Sequence, residues 1–306
     1  MGPLRGIQGR EVMKPAPFDY YAPSSVGEAL DRLAELGYAG KVLAGGQSLI
    51  PSMNFRLAQP SALVDLNNIK ELDYIRAAQD GGLLIGTMTR DSKVEHDAMV
   101  AQRAPIVLEA MPHIAHPQIR NRGTFGGAMA HADPAGHLPG LAVALNARFL
   151  VKSKTNQYWT EADDFFIGPF ATVIQPDEML VEVALPALPA RSGTCYRQVS
   201  RQRGSQALVG VAVFVVLDEK GKCQEANISM LGVGERPILA RQAAKVLVGQ
   251  PPIAEAISAA ADVAANKEID PGTDIHATRE YRRYVAGVLV QRALTEAFKR
   301  AQGRGG

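Results

Sequence analysis

Apolar positions along the chain switch between two periods, and the switches outline the elements. Ser25-x-x-Glu28 is a capping box ahead of Val26, Leu30, Leu33, Ala34 and Leu36, and Gly37 stands where such a run ends, so the spacing predicts a helix over 25–36. Val42-Leu43 and Leu63-Val64-Asp65-Leu66 read as strands of a small β–α–β unit. Gly82 to Met88 reads as another short strand, followed by polar Arg90-Asp91-Ser92 and helical patterning through Met111. A helix over 138–145 and strands over 148–152 and 179–185 come next. Pro186-Ala187-Leu188-Pro189 cannot continue a central strand and marks a boundary. Beyond it the pattern becomes a meander, with strands over 194–199, 209–217 and 226–231 and a hairpin turn at Asp218-Glu219-Lys220-Gly221-Lys222. Helical spacing then runs over 237–248, 253–265 and 278–299, the last with Val285, Val288, Leu289, Ala293 and Leu294 on one face. No internal repeat, heptad or low-complexity tract interrupts this order.

Composition narrows the function classes. The 306 residues are 46% hydrophobic and 21% charged, which describes a globular chain long enough for two or three compact units. A formal charge of +2, with basic and acidic residues interspersed, leaves no electrostatic footprint for nucleic acid. No apolar stretch approaches the ~20 residues that span a bilayer, and no signal-peptide core is present, so the expected location is the cytoplasm. Residues 1–12 carry no periodic pattern and read as an N-terminal extension, with Met13 an alternative start. The two cysteines, Cys195 and Cys223, are too few for a protein-held iron–sulfur cluster, which takes four ligands.

Chemistry concentrates in two glycine-rich loops that each follow an apolar run: Ala44-Gly45-Gly46-Gln47-Ser48 and Thr124-Phe125-Gly126-Gly127-Ala128. Adjacent glycines remove Cβ atoms and let successive N–H groups turn toward one anion. In the first loop Gln47 and Ser48 add side-chain donors. In the second, Thr124 adds a hydroxyl, the glycines form a turn, and Ala128-Met129-Ala130 starts a short helix whose N-terminus favours negative charge. Neither loop matches G-x-G-x-x-G or the P-loop. A single Gly-Gly pair is more often an ordinary turn, and 29 glycines supply such pairs by chance. His113, His116, His131, His137 and Asp133 cluster in sequence around the second loop without metal-ligand spacing, which favours a polar pocket lining. Arg120 and Arg122 suit either phosphate or carboxylate partners, and Tyr196 suits either stacking on an aromatic ligand or the core. Trp159 and Asp163-Asp164 read as structural or interfacial. No nucleophile–base constellation is present.

The long strings flanking these loops carry a resemblance. Lys41 through Met53 and Pro117 through Gly127, continued by Asp177-Glu178-Met179-Leu180 and Tyr196 through Arg201, resemble the FAD-binding medium subunit of molybdenum hydroxylases, the family of the carbon monoxide dehydrogenase flavoprotein and the xanthine dehydrogenase FAD domain. The likeness covers nearly the whole chain from about Met13. It implies an α+β fold: a two-subdomain FAD-binding fold of the p-cresol methylhydroxylase/vanillyl-alcohol oxidase type, over 13–70 and 71–187, and a C-terminal α+β domain over 188–300 with a three-stranded antiparallel sheet and helices, before a tail at 301–306.

The resemblance also implies a site. The first loop, Val42, Leu43, Ala44, Gly45, Gly46, Gln47, Ser48 and Leu49, binds the FAD pyrophosphate, as do Thr124, Gly126, Gly127 and Ala128, with Ile114 an apolar wall, Leu180 packing near the flavin and Arg197 supplying a basic group. Relatives usually carry a carboxylate thirteen residues after the motif threonine, where this chain has His137. By resemblance, FAD here collects electrons from 2Fe-2S clusters on a small subunit, a large molybdopterin-binding subunit holds the molybdenum cofactor, and the assembly is a dimer of heterotrimers acting on an N-heterocycle, an aldehyde or carbon monoxide. The alternatives are a free-standing flavin oxidoreductase, disfavoured by the lack of a substrate-side acid or base, and an assembly subunit without FAD, disfavoured by the intact glycine pairs.

Overall fold

The computed structural model describes residues 13–303. The chain opens with β1 (Asp19–Tyr21) and α1 (Val26–Leu36). Ser25 caps α1 by accepting from the Glu28 N–H, Glu28 reaches back to the Ser24 N–H, and Ala29, Leu30 and Leu33 form its buried face. β2 (Gly40–Leu43), α2 (Leu49–Asn54) and β3 (Ala62–Asp65) follow as a parallel β–α–β unit. β1 joins the other side of β3, also parallel, to give the sheet order β1-β3-β2.

The middle of the chain is built on a second sheet. After β4 (Ile75–Ala77) and β5 (Leu83–Gly86) come short helices α3 (Asp91–His96), α4 (Ala98–Arg103) and α5 (Pro105–Ala110) in place of the long helical run that the pattern suggested. Two breaks explain the difference: the Asp97 carboxylate caps a new helix at Met99 and Val100, and Pro105 sits at the start of the next, where its missing N–H costs nothing. α6 (Pro117–Arg120), α7 (Phe125–His131) and α8 (His137–Ala144) lead to β6 (Arg148–Lys152) and the edge strand β7 (Gln157–Glu161). α9 (Ala162–Phe165), β8 (Phe166–Gly168) and β9 (Ala171–Thr172) precede β10 (Met179–Leu185), which is buried along its whole length at the centre of the order β4-β5-β10-β6-β7. Phe149, Phe165 and Phe166 interlock beneath it, and each side chain so buried contributes about 1.5–3 kcal/mol.

The last sheet consists of β11 (Ser192–Ser200), β12 (Ala207–Leu217), β13 (Cys223–Leu231) and the two-residue β14 (Ile238–Leu239), all antiparallel. It therefore has four strands rather than three, and the segment expected as one helix over 237–248 begins as β14 before α10 (Arg241–Leu247). Ile238 and Leu239 pair with Met230 and Ser229 of β13 instead, and the helix starts only after Ala240. α11 (Ala254–Lys267) and α12 (Arg279–Gly303) share one buried cluster with this sheet. α8 lies on the other face, so close that a Cβ at Gly140 would stand 1.8 Å from Leu231 Cδ2. No described helix is long and apolar enough to cross a membrane.

Candidate functional site

The two glycine loops, some eighty residues apart in sequence, touch. The first leaves β2, is held at the Ala44 carbonyl by the Asn67 side-chain amide at 3.0 Å, and turns at Gly46, whose φ of +72° is a conformation glycine adopts without Cβ strain. A Cβ at Gly45 would stand 2.4 Å from the Arg122 carbonyl oxygen, and one at Gly127 would stand 3.4 Å from Ala44 Cβ. Backbone therefore packs on backbone where the loops meet.

Their donors differ. Among the described residues, the N–H groups of Gly45, Gly46, Gln47 and Ser48 donate to no protein acceptor, and the loop from Val42 to Leu49 is half-buried to exposed. Gln47 turns its own amide back onto the Gly45 carbonyl at 2.9 Å instead of outward. In the second loop α7 begins at Phe125, earlier than Ala128, so the glycines are its first turn. Phe125 and Gly126 donate to Thr89 O and Thr87 O, Gly127 to the Thr124 hydroxyl and Ala128 to the Thr124 carbonyl, which leaves none of these amides for an anion. Thr124, 2% exposed, accepts as the helix cap and keeps its own hydroxyl proton to donate.

The other expected positions spread around this junction. Ile114 and Ala128 pack against the same core as Phe125, Met129 and Leu180. Arg197 is exposed and folds back onto the Tyr196 carbonyl. His137 is buried with its ring 6.0 Å from that of Tyr196, and its Nε2 has no partner among the described residues. Burial pushes the imidazole down to about 4, so it is neutral near pH 7. Tyr196 lies in the core, its hydroxyl bonded to Gln198. Arg120 forms a two-pronged pair with Glu95 and is not free for phosphate, whereas Arg122 is exposed. No histidine cluster suited to a metal occurs among the described residues.

Residues outside the motifs complete the junction. Arg90 donates to the Arg122 carbonyl and to Asn67, and Asp91 packs its carboxyl against Gly123 with no hydrogen-bond partner for Oδ1. Burial raises the Asp91 carboxyl to about 7 against the opposing pull of Arg120 and Arg90. In sequence Arg90-Asp91 is an ordinary polar pair after a strand, and only the packing gives it this place.

Residues 16–188 match the family described as FAD binding domain in molybdopterin dehydrogenase, and residues 194–297 match the CO dehydrogenase flavoprotein C-terminal domain. The chain is an FAD-binding medium subunit of the molybdenum hydroxylase family. This medium subunit is 41% identical to the 6-hydroxypseudooxynicotine dehydrogenase complex subunit alpha of Paenarthrobacter nicotinovorans, over 95% of the chain and 97% of the relative. It is 37% identical to the carbon monoxide dehydrogenase medium chain of Hydrogenophaga pseudoflava, over 94% and 99%. Its fold superposes on a crystal structure of that carbon monoxide dehydrogenase with a TM-score of 0.90 at 38% identity, covering 94% of this chain and 99% of that one. Quinoline 2-oxidoreductase from Pseudomonas putida 86 gives 0.88 at 35%, covering 96% and 100%. The medium subunit is thus part of an oxidoreductase with FAD as its cofactor. The four unspent amides at the first loop and the Thr124 hydroxyl proton fit the diphosphate of that cofactor.

Proposed function

We propose that this subunit holds FAD by its diphosphate at the junction of the two glycine loops and relays electrons from 2Fe-2S clusters on a small partner subunit to an external acceptor. A large molybdopterin-binding partner oxidises the substrate, an N-heterocycle or an aldehyde, or carbon monoxide. The observation that carries the reading is the set of unpaired N–H groups at Gly45, Gly46, Gln47 and Ser48, set beside the Thr124 hydroxyl.

FAD when bound supplies the exchange between one-electron and two-electron transfer. The protein's part is to bind and orient. Backbone donors at Gly45–Ser48 meet phosphate oxygens without displacing protein bonds, because they have none to lose. Ile114 and Leu180, set in the core around Phe125 and Met129, offer apolar walls, and Arg197 offers positive charge at the exposed side. His137, neutral and with Nε2 unpartnered, offers a hydrogen bond where relatives usually have a carboxylate. Cys195 and Cys223, both buried, are the chain's two cysteines, too few for a cluster, which takes four ligands. Clusters therefore come from a partner, and likeness to the family supports a dimer of heterotrimers in the cytoplasm.

Titrating the full chain with FAD tests the reading: a saturable quench of flavin fluorescence is expected, and no binding refutes it. Reduction of the bound flavin by an organic substrate without partner subunits supports the free-standing oxidoreductase instead.

A further inference from the structure

We infer that Arg90 is a positioning residue that fixes the spacing of the two glycine loops, and with it the affinity for a diphosphate. The inference rests on the proposed FAD reading. Arg90 belongs to the second loop by its backbone: it forms an isolated antiparallel bridge with Thr124, and the next residue, Asp91, donates its N–H to Gly123 O at 3.1 Å. Its side chain reaches the other way. One guanidinium nitrogen donates to the Arg122 carbonyl, whose oxygen would stand 2.4 Å from a Cβ at Gly45, and another donates to the Asn67 side-chain oxygen, each at 2.5 Å. Asn67 in turn donates from its amide to the Ala44 carbonyl at the root of the first loop, and its side chain is further fixed by Asp65. The chain of bonds Arg122–Arg90–Asn67–Ala44 therefore crosses the junction, and each link is to backbone or to a side chain that grips backbone.

Two features suit this residue to a ligand-dependent role. A planar guanidinium offers several donors at fixed angles, so one side chain spans two acceptors that a single ammonium cannot hold in the same geometry. Arg90 is also half-buried and, among the described residues, shares no ion pair, although Asp65, Asp73 and Asp91 are near enough to favour its charge. The exposed Arg122 guanidinium is near enough to oppose it. A bound diphosphate adds negative charge beside two arginines that no carboxylate neutralises directly.

The test uses the full chain, with FAD and separately with ADP, which carries the diphosphate without the flavin. Dissociation constants come from fluorescence and calorimetry, and the melting temperature of each ligand-free variant reports the fold. Arg90→Met and Arg90→Lys are each expected to weaken FAD and ADP at least tenfold and by similar factors. Asn67→Ala is expected to weaken both, and the Arg90→Met/Asn67→Ala pair to lose little beyond the larger single effect, because the two act in one chain of bonds. Binding within twofold of the parent by either Arg90 variant overturns the inference, as does full rescue by Lys, or a loss with FAD that is absent with ADP. Gly46→Val run in parallel separates the two levels. If it also binds FAD normally, the clamp reading fails; if it alone loses FAD, only the role of Arg90 fails. Should Arg90→Met not fold, Arg90→Lys and Asn67→Ala decide.

Discussion

Gly45-Gly46 and Gly126-Gly127 are the same dipeptide, each beside a sheet and each part of a family motif, yet the structure uses them in opposite ways. At the first pair the chain is half-exposed, Gly46 takes a positive φ, and the amides from Gly45 to Ser48 have no protein acceptor. At the second, Gly126 is buried against Thr87, where a Cβ would lie 2.3 Å from Thr87 Cβ, and the amides from Phe125 to Ala128 are all spent within the protein. The first pair leaves its donors unspent, as the proposed FAD reading requires; the second lets α7 lie against the middle sheet, holding Thr124 at the junction. A glycine pair is thus two different devices, and the bonding of its N–H groups tells them apart.

Substituting the second pair offers the severest test of that contrast. Gly126→Val places a branched side chain into the backbone of Thr87, and the cost is expected to exceed the ~3 kcal/mol of ordinary overpacking, so the chain unfolds or aggregates with or without FAD. Recovery of a ligand-free protein with unchanged urea midpoint breaks the comparison. Asp91, which supports the same loop from beneath Gly123, gives the next largest effect. Its folded pKa of about 7 lies above the usual 3.8, so between those values the unfolded chain has released a proton that the folded chain retains. Stability therefore falls as pH rises from about 4 to 7 and levels off above, by as much as about 4 kcal/mol if the whole shift is expressed. Asp91→Asn is expected to remove this slope and to raise stability at pH 8, measured by denaturant unfolding across pH. A slope that persists in the variant assigns it to another group.

What could be read from sequence follows the same division between local and tertiary causes. Strands β6 and β10 stand at the boundaries that apolar runs predict, and α1 begins at its capping box, because in each the local signal and the burial agree. β7 was not legible: its burial alternates around Trp159 on a sheet edge, with polar Gln157, Thr160 and Glu161 giving no apolar run. β14 was hidden by helical spacing that only the pairing with β13 overrides. The loop residues of the site were legible as motifs. That the second loop's amides are spent, and that Arg90 and Asn67 join the loops, depends on segments far apart in sequence meeting in space, for which a single chain carries no periodic sign.

The smaller effects sharpen the comparison from the ligand's side. Gly46→Ala keeps its fold at the cost of a left-handed residue, about 1–2 kcal/mol, or escapes that strain by turning its peptide. Either route disturbs the row of free amides, so FAD affinity is expected to fall about tenfold, an equilibrium shift of ~1.4 kcal/mol, while the urea midpoint of the ligand-free chain falls by no more than that strain accounts for. Thr124→Val is the mildest change and reports on both loops at once. It removes the cap on the Gly127 N–H, worth ~1 kcal/mol, and the hydroxyl proton left over for the diphosphate. Since valine is close to threonine in shape, packing at this buried site is preserved, and the loss in the ligand-free chain measures the cap alone. A further loss of FAD affinity, beyond what stability explains, measures the hydroxyl. If affinity is unchanged, the Thr124 hydroxyl contributes no donor, and recognition of the diphosphate falls to backbone amides, those between Gly45 and Ser48 first among them.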